Sequence, residues 1–286
     1  MRRDALFKWT NILLIGTWLV LFSLIPHLFI LVCSFLKLDA SHTHFAGLTL
    51  TNYYATLLNP LYLKVFWRSF QLASFCTLLC LIVAYPFAYG LTRIKTDYKP
   101  LLLALVLIPF WTSSFIRTYA IIAILKTKGV LNTALLSMGI IKEPFQILYT
   151  NTAVMIGLVY DLLPFMILPL YTNFEKIDQQ YINAARDLGA KKMTILTKVM
   201  IPLTLPGILS GSLLVFLPAM SLFYIPDILG GAKSFLLGNL IQKQFLTGSW
   251  GLGGALSILL LVLLMLLLLI GGWLKQQSKN YHNSFE

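Results

Sequence analysis

The sequence predicts an all-α membrane protein with six transmembrane helices. Composition is the first reason: its 286 residues are 58% hydrophobic and 11% charged, where a soluble domain carries roughly 25% charged residues. Mean hydropathy is +0.81. Six apolar runs each approach the roughly 20 residues a membrane crossing requires, and the basic residues lie mostly between them. No run shows the two-residue alternation of a barrel strand, so helices, which satisfy their own backbone groups, remain.

The first span is expected at about 11–36. It follows MRRDALFKW, a signal-peptide-like start, but the run is too long and no small-residue cleavage site follows, so the span is retained. His27 sits beside Pro26, predicted as packed at a kink with no role. Aromatics and prolines in 37–63 predict a short structured element at the membrane interface. The second span covers 69–92. The third, 101–122, reads LLLALVLIPFW and then TSSFIRTYA. This predicts a helix that breaks near Pro109 or leaves the membrane early, followed by a partly buried external segment up to Tyr149. The fourth span is 150–171, the fifth 206–226, and the sixth, Leu-rich, 251–274. A polar loop, 172–205, joins the fourth and fifth. No internal repeat appears, and residues 1–286 read as a single transmembrane domain.

Net charge is +12, from 22 Lys and Arg against 10 Asp and Glu. In a soluble protein this would suggest nucleic acid; here the scatter between apolar runs sets topology, and no nucleic-acid partner is expected. With the N-terminus inside, the inner segments hold 13 basic residues and the longer outer segments nine. Both termini and the loop 172–205 are therefore expected on the cytoplasmic side of a multi-pass membrane protein. Cys33, Cys76 and Cys80 are odd in number, lie inside apolar runs and lack metal-ligand spacing, so small buried or lipid-facing side chains are expected. Neither paired carboxylates nor a His-rich set points to an enzyme, a metal or a catalytic residue. GGAKS at 230–234 has Ala232 where a phosphate-binding loop requires Gly, and it lacks the strand-to-helix context. It reads as an external turn, so this chain is expected to hydrolyse no ATP and to carry no cofactor.

Residues 183–202 read NAARDLGAKKMTILTKVMIP. Asp178 is placed to cap a helix starting at Gln179, with Tyr181, Ala185 and Leu188 on one apolar face beside Ile182. Gly189 falls where a helix end takes a left-handed residue. A second short helix starts near Lys191 and sets Ile195 and Val199 on one side; Pro202 ends it or opens the next span. One reading is an amphipathic loop with Lys191, Lys192 and Lys198 touching anionic lipid. The order Ala184-Ala185, Gly189, Val199-Met200-Ile201-Pro202 supports another. It resembles the EAA loop of ABC-importer permeases: Glu-Ala-Ala, three residues, Gly, nine residues, Ile-x-Leu-Pro. Asn183 replaces the Glu, Val199 the Ile and Ile201 the Leu. In that family the loop docks on a cytoplasmic ATPase, which implies ATPase coupling through Asn183, Ala184, Ala185, Asp187, Gly189 and Pro202.

The resemblance runs from about residue 11 to 274. KPLLLALVLIPFWTSSFIRTYA, GLVYDLLPFMILPLY, AARDLGA, IPLTLPGI and LPAMSLFYIPDILGGAK are similar to permeases of polyamine ABC importers. This implies a type I ABC importer permease fold and an inner-membrane location. The implied partners are a cytoplasmic ATPase dimer, a second homologous permease, and an external or periplasmic polyamine-binding protein. Polyamines are flexible polycations, so a path for them requires carboxylates and aromatic faces. Asp161 with Tyr160 in the fourth span, Asp227 with Phe223 and Tyr224 at the outer end of the fifth, and Trp111 in the third qualify. Arg117 would repel a polycation and reads as a gating residue or as the ion-pair partner of Asp161 or Asp227. A structural ion pair for Asp161 and a solvated interfacial position for Asp227 are the bland alternatives, as interface packing is for the aromatics. Two other functions compete: an ABC permease for another solute, such as an amino acid or an inorganic ion, and a stand-alone secondary transporter. The latter usually shows inverted repeats and more spans.

Overall fold

The structure is a computed structural model that describes residues 2–38, 45–231 and 234–283. Ala232 and Lys233 of the GGAKS stretch, and 39–44 of the first external segment, lie outside the described residues. Among the described residues, six helices are long and apolar enough to cross a membrane. Contacts divide the chain into two units, Met1–Lys64 with Leu240–Leu263 and Val65–Asn239 with Leu264–Glu286.

In the first unit α1 (Arg2–Leu19) passes through a π-helical turn at Val20–Leu24 into α2 (Ile25–Ser34). Pro26, in the first turn of α2, supplies no N–H, and the ladder widens just before it. His27 Nδ1 lies 2.6 Å from the Ser23 carbonyl oxygen. Its side chain is exposed, contrary to the expectation that it is packed. A two-stranded antiparallel hairpin follows, β1 (Leu36–Leu38) with β2 (Phe45–Leu48), and then α3 (Thr51–Leu58). The structured element expected in 37–63 is thus a hairpin and a helix. Asn52 Nδ2 donates to the Ser34 and Leu36 carbonyls at 3.0 and 2.9 Å, tying α3 to the end of α2.

In the second unit the second span is one helix, α4 (Pro60–Arg93), which begins at Pro60 in the first unit, well ahead of the expected 69. Pro tolerates a first helical position because its missing N–H has no partner there anyway. Ala73, Cys76, Cys80, Ala84 and Ala88 are fully buried along it, a stripe of small side chains that lets neighbouring backbones approach. Cys33, Cys76 and Cys80 are free and buried, as expected. The third span is broken. α5 (Lys99–Leu107) tightens into a 3-10 turn at Ile108–Trp111, Thr112 is extended, and α6 (Ser114–Leu125) starts afresh, followed by α7 (Val130–Ser137). The apolar stretch long enough to cross is therefore 114–137, not 101–122. The break near Pro109 is the one the sequence indicates.

The centre of this unit is α8 (Asn151–Phe174), with Val154, Leu158, Met166 and Leu170 fully buried. Thr150 caps it, its hydroxyl accepting from the Ala153 N–H at 3.3 Å. After α8 come α9 (Gln179–Asp187), α10 (Lys192–Ile195), a π-helical turn at Leu196–Met200, and α11 (Ile201–Ser221). α11 packs on α8 through glycines. A Cβ on Gly211 would stand 2.7 Å from Met166 Sδ, and one on Gly207 2.7 Å from Asn173 Cβ. Leu222 is extended and ends α11, so the fifth span stops at Ser221 rather than 226. α12 (Tyr224–Gly230) is a separate short helix. α13 (Leu237–Leu246) and α14 (Trp250–Asn283) complete the chain, α14 carrying the sixth span.

Candidate functional site

α8, α6 and α12 meet at one buried carboxylate. Gly157 and Asp161 lie one turn apart on α8 and so share a face. Gly157 lets α12 settle onto that face: a Cβ there would be 2.3 Å from Leu229 Cδ1 and 3.0 Å from Ile225 Cγ2. α12 is also held at both ends. The Leu229 carbonyl accepts from the Tyr149 N–H at 2.9 Å, and the Phe223 carbonyl from Asn239 Nδ2 at 2.8 Å. So anchored, α12 presents Tyr224 to Asp161, its hydroxyl donating to Oδ2 at 3.1 Å.

α6 supplies the other partners. Ser114 and Arg117 stand three residues apart on one helix face. Arg117 Nη2 donates to Asp161 Oδ1 at 2.6 Å, and Ser114 Oγ donates to the same oxygen at 2.8 Å. Ser114 Oγ also lies 2.5 Å from the Tyr224 hydroxyl, so two hydroxyl protons serve three short contacts. The second guanidinium nitrogen, Nη1, donates at 2.7 Å to the Pro109 carbonyl in the 3-10 break of the third span. The break thus supplies an acceptor that a regular helix would have used internally. Arg117 Nε is buried without a hydrogen-bond partner among the described residues. The Arg117 guanidinium also lies over the Phe110 ring, 4.5 Å from its centroid. An apolar cavity of ≈ 220 Å³ adjoins it, with Phe110, Tyr160, Pro164 and Phe87 in its wall and Arg117 as the charged residue lining it among the described residues.

The pair is electrically neutral and its hydrogen bonds are nearly complete, which is how an ionisable group persists at membrane depth. Of the residues singled out by sequence, Asp161, Arg117 and Tyr224 come together here, and Asp161 rather than Asp227 is the partner of Arg117. Phe223 touches the cluster edgewise, its ring centroid 6.2 Å from that of Tyr224. Asp227 lies on α12, exposed, and its carboxylate has no hydrogen-bond or ion-pair partner among the described residues. Trp111 stands apart, 86% exposed. Sequence reasoning missed Ser114, Phe115, whose ring lies 4.8 Å from that of Tyr224, and Gly157. A signal for Ser114 was present: Ser114, Arg117 and Thr118 form a polar stripe at helical spacing in an apolar segment.

The loop between the fourth and fifth spans is the second site. Asp178 Oδ1 accepts from the Gln180 N–H at 2.9 Å and caps α9. α9 ends with Gly189 at φ +76°; the Gly189 N–H bonds the Arg186 carbonyl at 2.8 Å and the Ala190 N–H the Ala185 carbonyl at 3.0 Å. This is the paired closure of a left-handed helix end. α10 then continues through the π turn into α11, one helix from Lys192 to Ser221. Pro202 lies in the first turn of α11 and does not end the helix, so the second loop helix is not separate from the span. Ile182, Ile195 and Met200 form the buried face, while Tyr181 and Leu188, expected on an apolar packing face, are 52% and 88% exposed. The reason is that Ile182 turns toward the spans. Leu188 and Met193, the latter 69% exposed, flank the Gly189 bend. Asn183, Ala184 and Asp187 are exposed, and Ala185 is half-buried.

Comparison with known proteins decides the family. The family described as binding-protein-dependent transport system inner membrane component matches residues 7–279. This chain belongs to that family. A spermidine/putrescine transport system permease protein PotB of Haemophilus influenzae is 49% identical over 88% of both chains. PotB of Escherichia coli K12 is 50% identical over 84% of this chain and 88% of that protein. A permease of a bacterial alginate ABC transporter shares the fold, with TM-score 0.77 and 14% identity over 96% of both chains. The MetNI methionine transporter gives TM-score 0.54 and 17% identity over 76% of this chain and 95% of that one. The chain is therefore a multi-pass transport permease of the inner membrane with the type I importer fold.

Proposed function

We propose that this chain is the transmembrane permease subunit of an ABC importer that moves spermidine and putrescine into the cytoplasm, driven by ATP hydrolysis in a partner subunit. The observation that carries the cargo is 49% identity, across 88% of both chains, with a spermidine/putrescine permease. Both termini and the loop 172–205 face the cytoplasm in this reading. The chain itself uses no cofactor and performs no catalysis; the nucleotide belongs to the ATPase.

The loop geometry suits mechanical coupling. Leu188 and Met193 present apolar tips around a bend of fixed geometry, suited to a groove on an ATPase dimer. Asn183, Ala184, Ala185, Asp187, Gly189 and Pro202 shape that plug. α10 is continuous with α11, so a push at the loop moves the fifth span as a rigid rod. α11 rides on α8 at Gly207 and Gly211 and leads into α12, so the same displacement shifts Tyr224 against Asp161.

That shift supplies a gate. Arg117 holds the Asp161 carboxylate neutralised while the path is closed. When α12 and α6 move, the carboxylate is freed for a substrate ammonium group, and Tyr224 and Phe223 offer aromatic faces to its methylenes, with Trp111, apart from this cluster, offering another along the path. Asp227, exposed, takes solute first, from an external or periplasmic polyamine-binding protein. A second homologous permease completes the path.

The experiment is labelled spermidine uptake in cells lacking their own polyamine uptake. The cells carry the ATPase, second permease and binding protein, with and without this chain. Uptake requiring both this chain and a working ATPase is the expected result. Assembly and ATP turnover without uptake would keep the importer and discard the polyamine.

A further inference from the structure

A groove of ≈ 1080 Å³ opens between α4, the α9–α10 loop and α11. It is much larger than the cavity at Arg117. Its long walls are apolar, with Leu81, Ile82 and Tyr85 on α4 facing Leu205 and Ile208 on α11. At the loop end the lining changes to Arg186 and Lys192. Both are exposed, and neither side chain has an ion-pair or hydrogen-bond partner among the described residues. Tyr89, which lines the groove, accepts from Arg93 at 2.5 Å, and the Arg93 guanidinium lies 4.8 Å from the centre of its ring.

Such a lining selects its occupant. One end is cationic and the rest is apolar, which is the inverse of an anionic amphiphile. The helix from Ile195 to Ile208 rises about 20 Å, against about 15 Å of hydrocarbon in one leaflet. A polyamine would be repelled by Arg186 and Lys192. A helix of a second permease would fill the apolar walls but would leave the cations buried without counter-charge. Basic pockets between spans at the cytoplasmic face suit anionic headgroups.

We infer that this groove binds one anionic phospholipid, its headgroup at Arg186 and Lys192 and an acyl chain between α4 and α11. The bound lipid braces the loop helices against the second and fifth spans, so occupancy tunes how far a push on the loop reaches α11. The inference goes beyond the transport reading and rests on it only for which leaflet is involved.

The test uses the assembled transporter in zwitterionic phosphatidylcholine nanodiscs, which present both leaflets alike. Trace phosphatidylglycerol or phosphatidylcholine is added, each with the same photoactivatable acyl chain, and labelled peptides are mapped by mass spectrometry. The phosphatidylglycerol probe is expected to label 81–89 and 195–208 at least about ten-fold more than the phosphatidylcholine probe. Removing each charge, by Arg186→Gln and Lys192→Gln, lowers that labelling about five-fold. The charge-preserving Arg186→Lys retains it. Ile82→Trp, at an exposed wall position, narrows the groove and lowers labelling by both probes. Equal labelling by the two probes, or labelling indifferent to the charge variants, overturns the proposal. So does a groove labelled in the chain alone but silent in the assembly, because a protein partner then covers it. Spermidine uptake is read separately: lost uptake with labelling intact would strike the cargo and leave the lipid site standing.

Discussion

Arg117 Nη2 and Asp161 Oδ1 meet at 2.6 Å across 44 residues of chain, with 10% and 11% of their side chains exposed. The pair joins the helix after the break in the third span to the most buried span. Removing one partner from a buried pair strands a charge and costs about 3–5 kcal/mol, whereas removing both is often tolerated.

Arg117→Met and Asp161→Leu should each lower the yield and thermal stability of the assembled transporter, by an amount on the order of 3–5 kcal/mol. The double variant should recover most of that loss. If Asp161 also contacts substrate, the double variant assembles but does not transport spermidine. Recovery of uptake along with assembly would make the pair purely structural. Thermal unfolding and uptake on the same preparations separate the outcomes.

Gly157→Ala tests how α12 is placed. The added Cβ meets Leu229 Cδ1 at 2.3 Å and Ile225 Cγ2 at 3.0 Å, so the buried Leu229 must repack or α12 must shift, and either change disturbs how α12 presents Tyr224 to Asp161. Overpacking of this kind costs about 1–3 kcal/mol. Uptake should fall more steeply than assembly. Loss of both in step would mean that the contact matters for folding alone.

Gly189→Asp should uncouple ATP turnover from uptake. At φ +76° glycine is the residue the turn favours, and a Cβ there meets open space, so Asp adds an exposed negative charge at the bend with little steric clash. The expected result is a complex in which uptake falls while solute no longer stimulates the ATPase. Normal uptake would remove the docking assignment.

Asp227→Asn should weaken spermidine uptake with assembly unchanged, since the side chain is exposed and unpaired among the described residues. Assembly failing first would make Asp227 structural.

Lys99 and Glu175 form an ion pair at 2.7 Å at the loop side of the third and fourth spans. The hydrogen bond from the Lys99 ammonium holds the Glu175 carboxyl below its ordinary value. A carboxyl depressed in the folded state adds stability above its unfolded value, about 4.3, and that contribution fades as pH falls through the lower folded value. Glu175→Gln should therefore be slightly less stable than the parent at neutral pH, with the gap closing in acid. Because the pair is partly exposed, added salt should shrink the gap as well. A gap independent of pH would assign it to packing.

Six apolar helices and a polar, Gly-bent loop between the fourth and fifth were legible in the residues, although the third span lies at 114–137 and the fifth ends at Ser221. Length and hydropathy of a run are local properties, and a membrane accepts few structures that are not helical. The Asp178 cap and the left-handed Gly189 were legible for the same reason: both are satisfied by backbone groups only a few residues away. So was the break near Pro109. What surrounds Asp161 emerged only once the helices were packed together. Arg117 had two candidate acids, and the choice depended on where α6 and α12 pack on α8. That packing hangs on Gly157, whose missing side chain carries no pattern of its own. The end of the fifth span was settled the same way. Hydropathy runs on past Ser221, but the extended Leu222 turns α12 back toward α8, where Ile225 and Leu229 find Gly157. Helix contacts between residues far apart in the chain set these features, and periodicity along one segment says nothing about which distant segment it will meet.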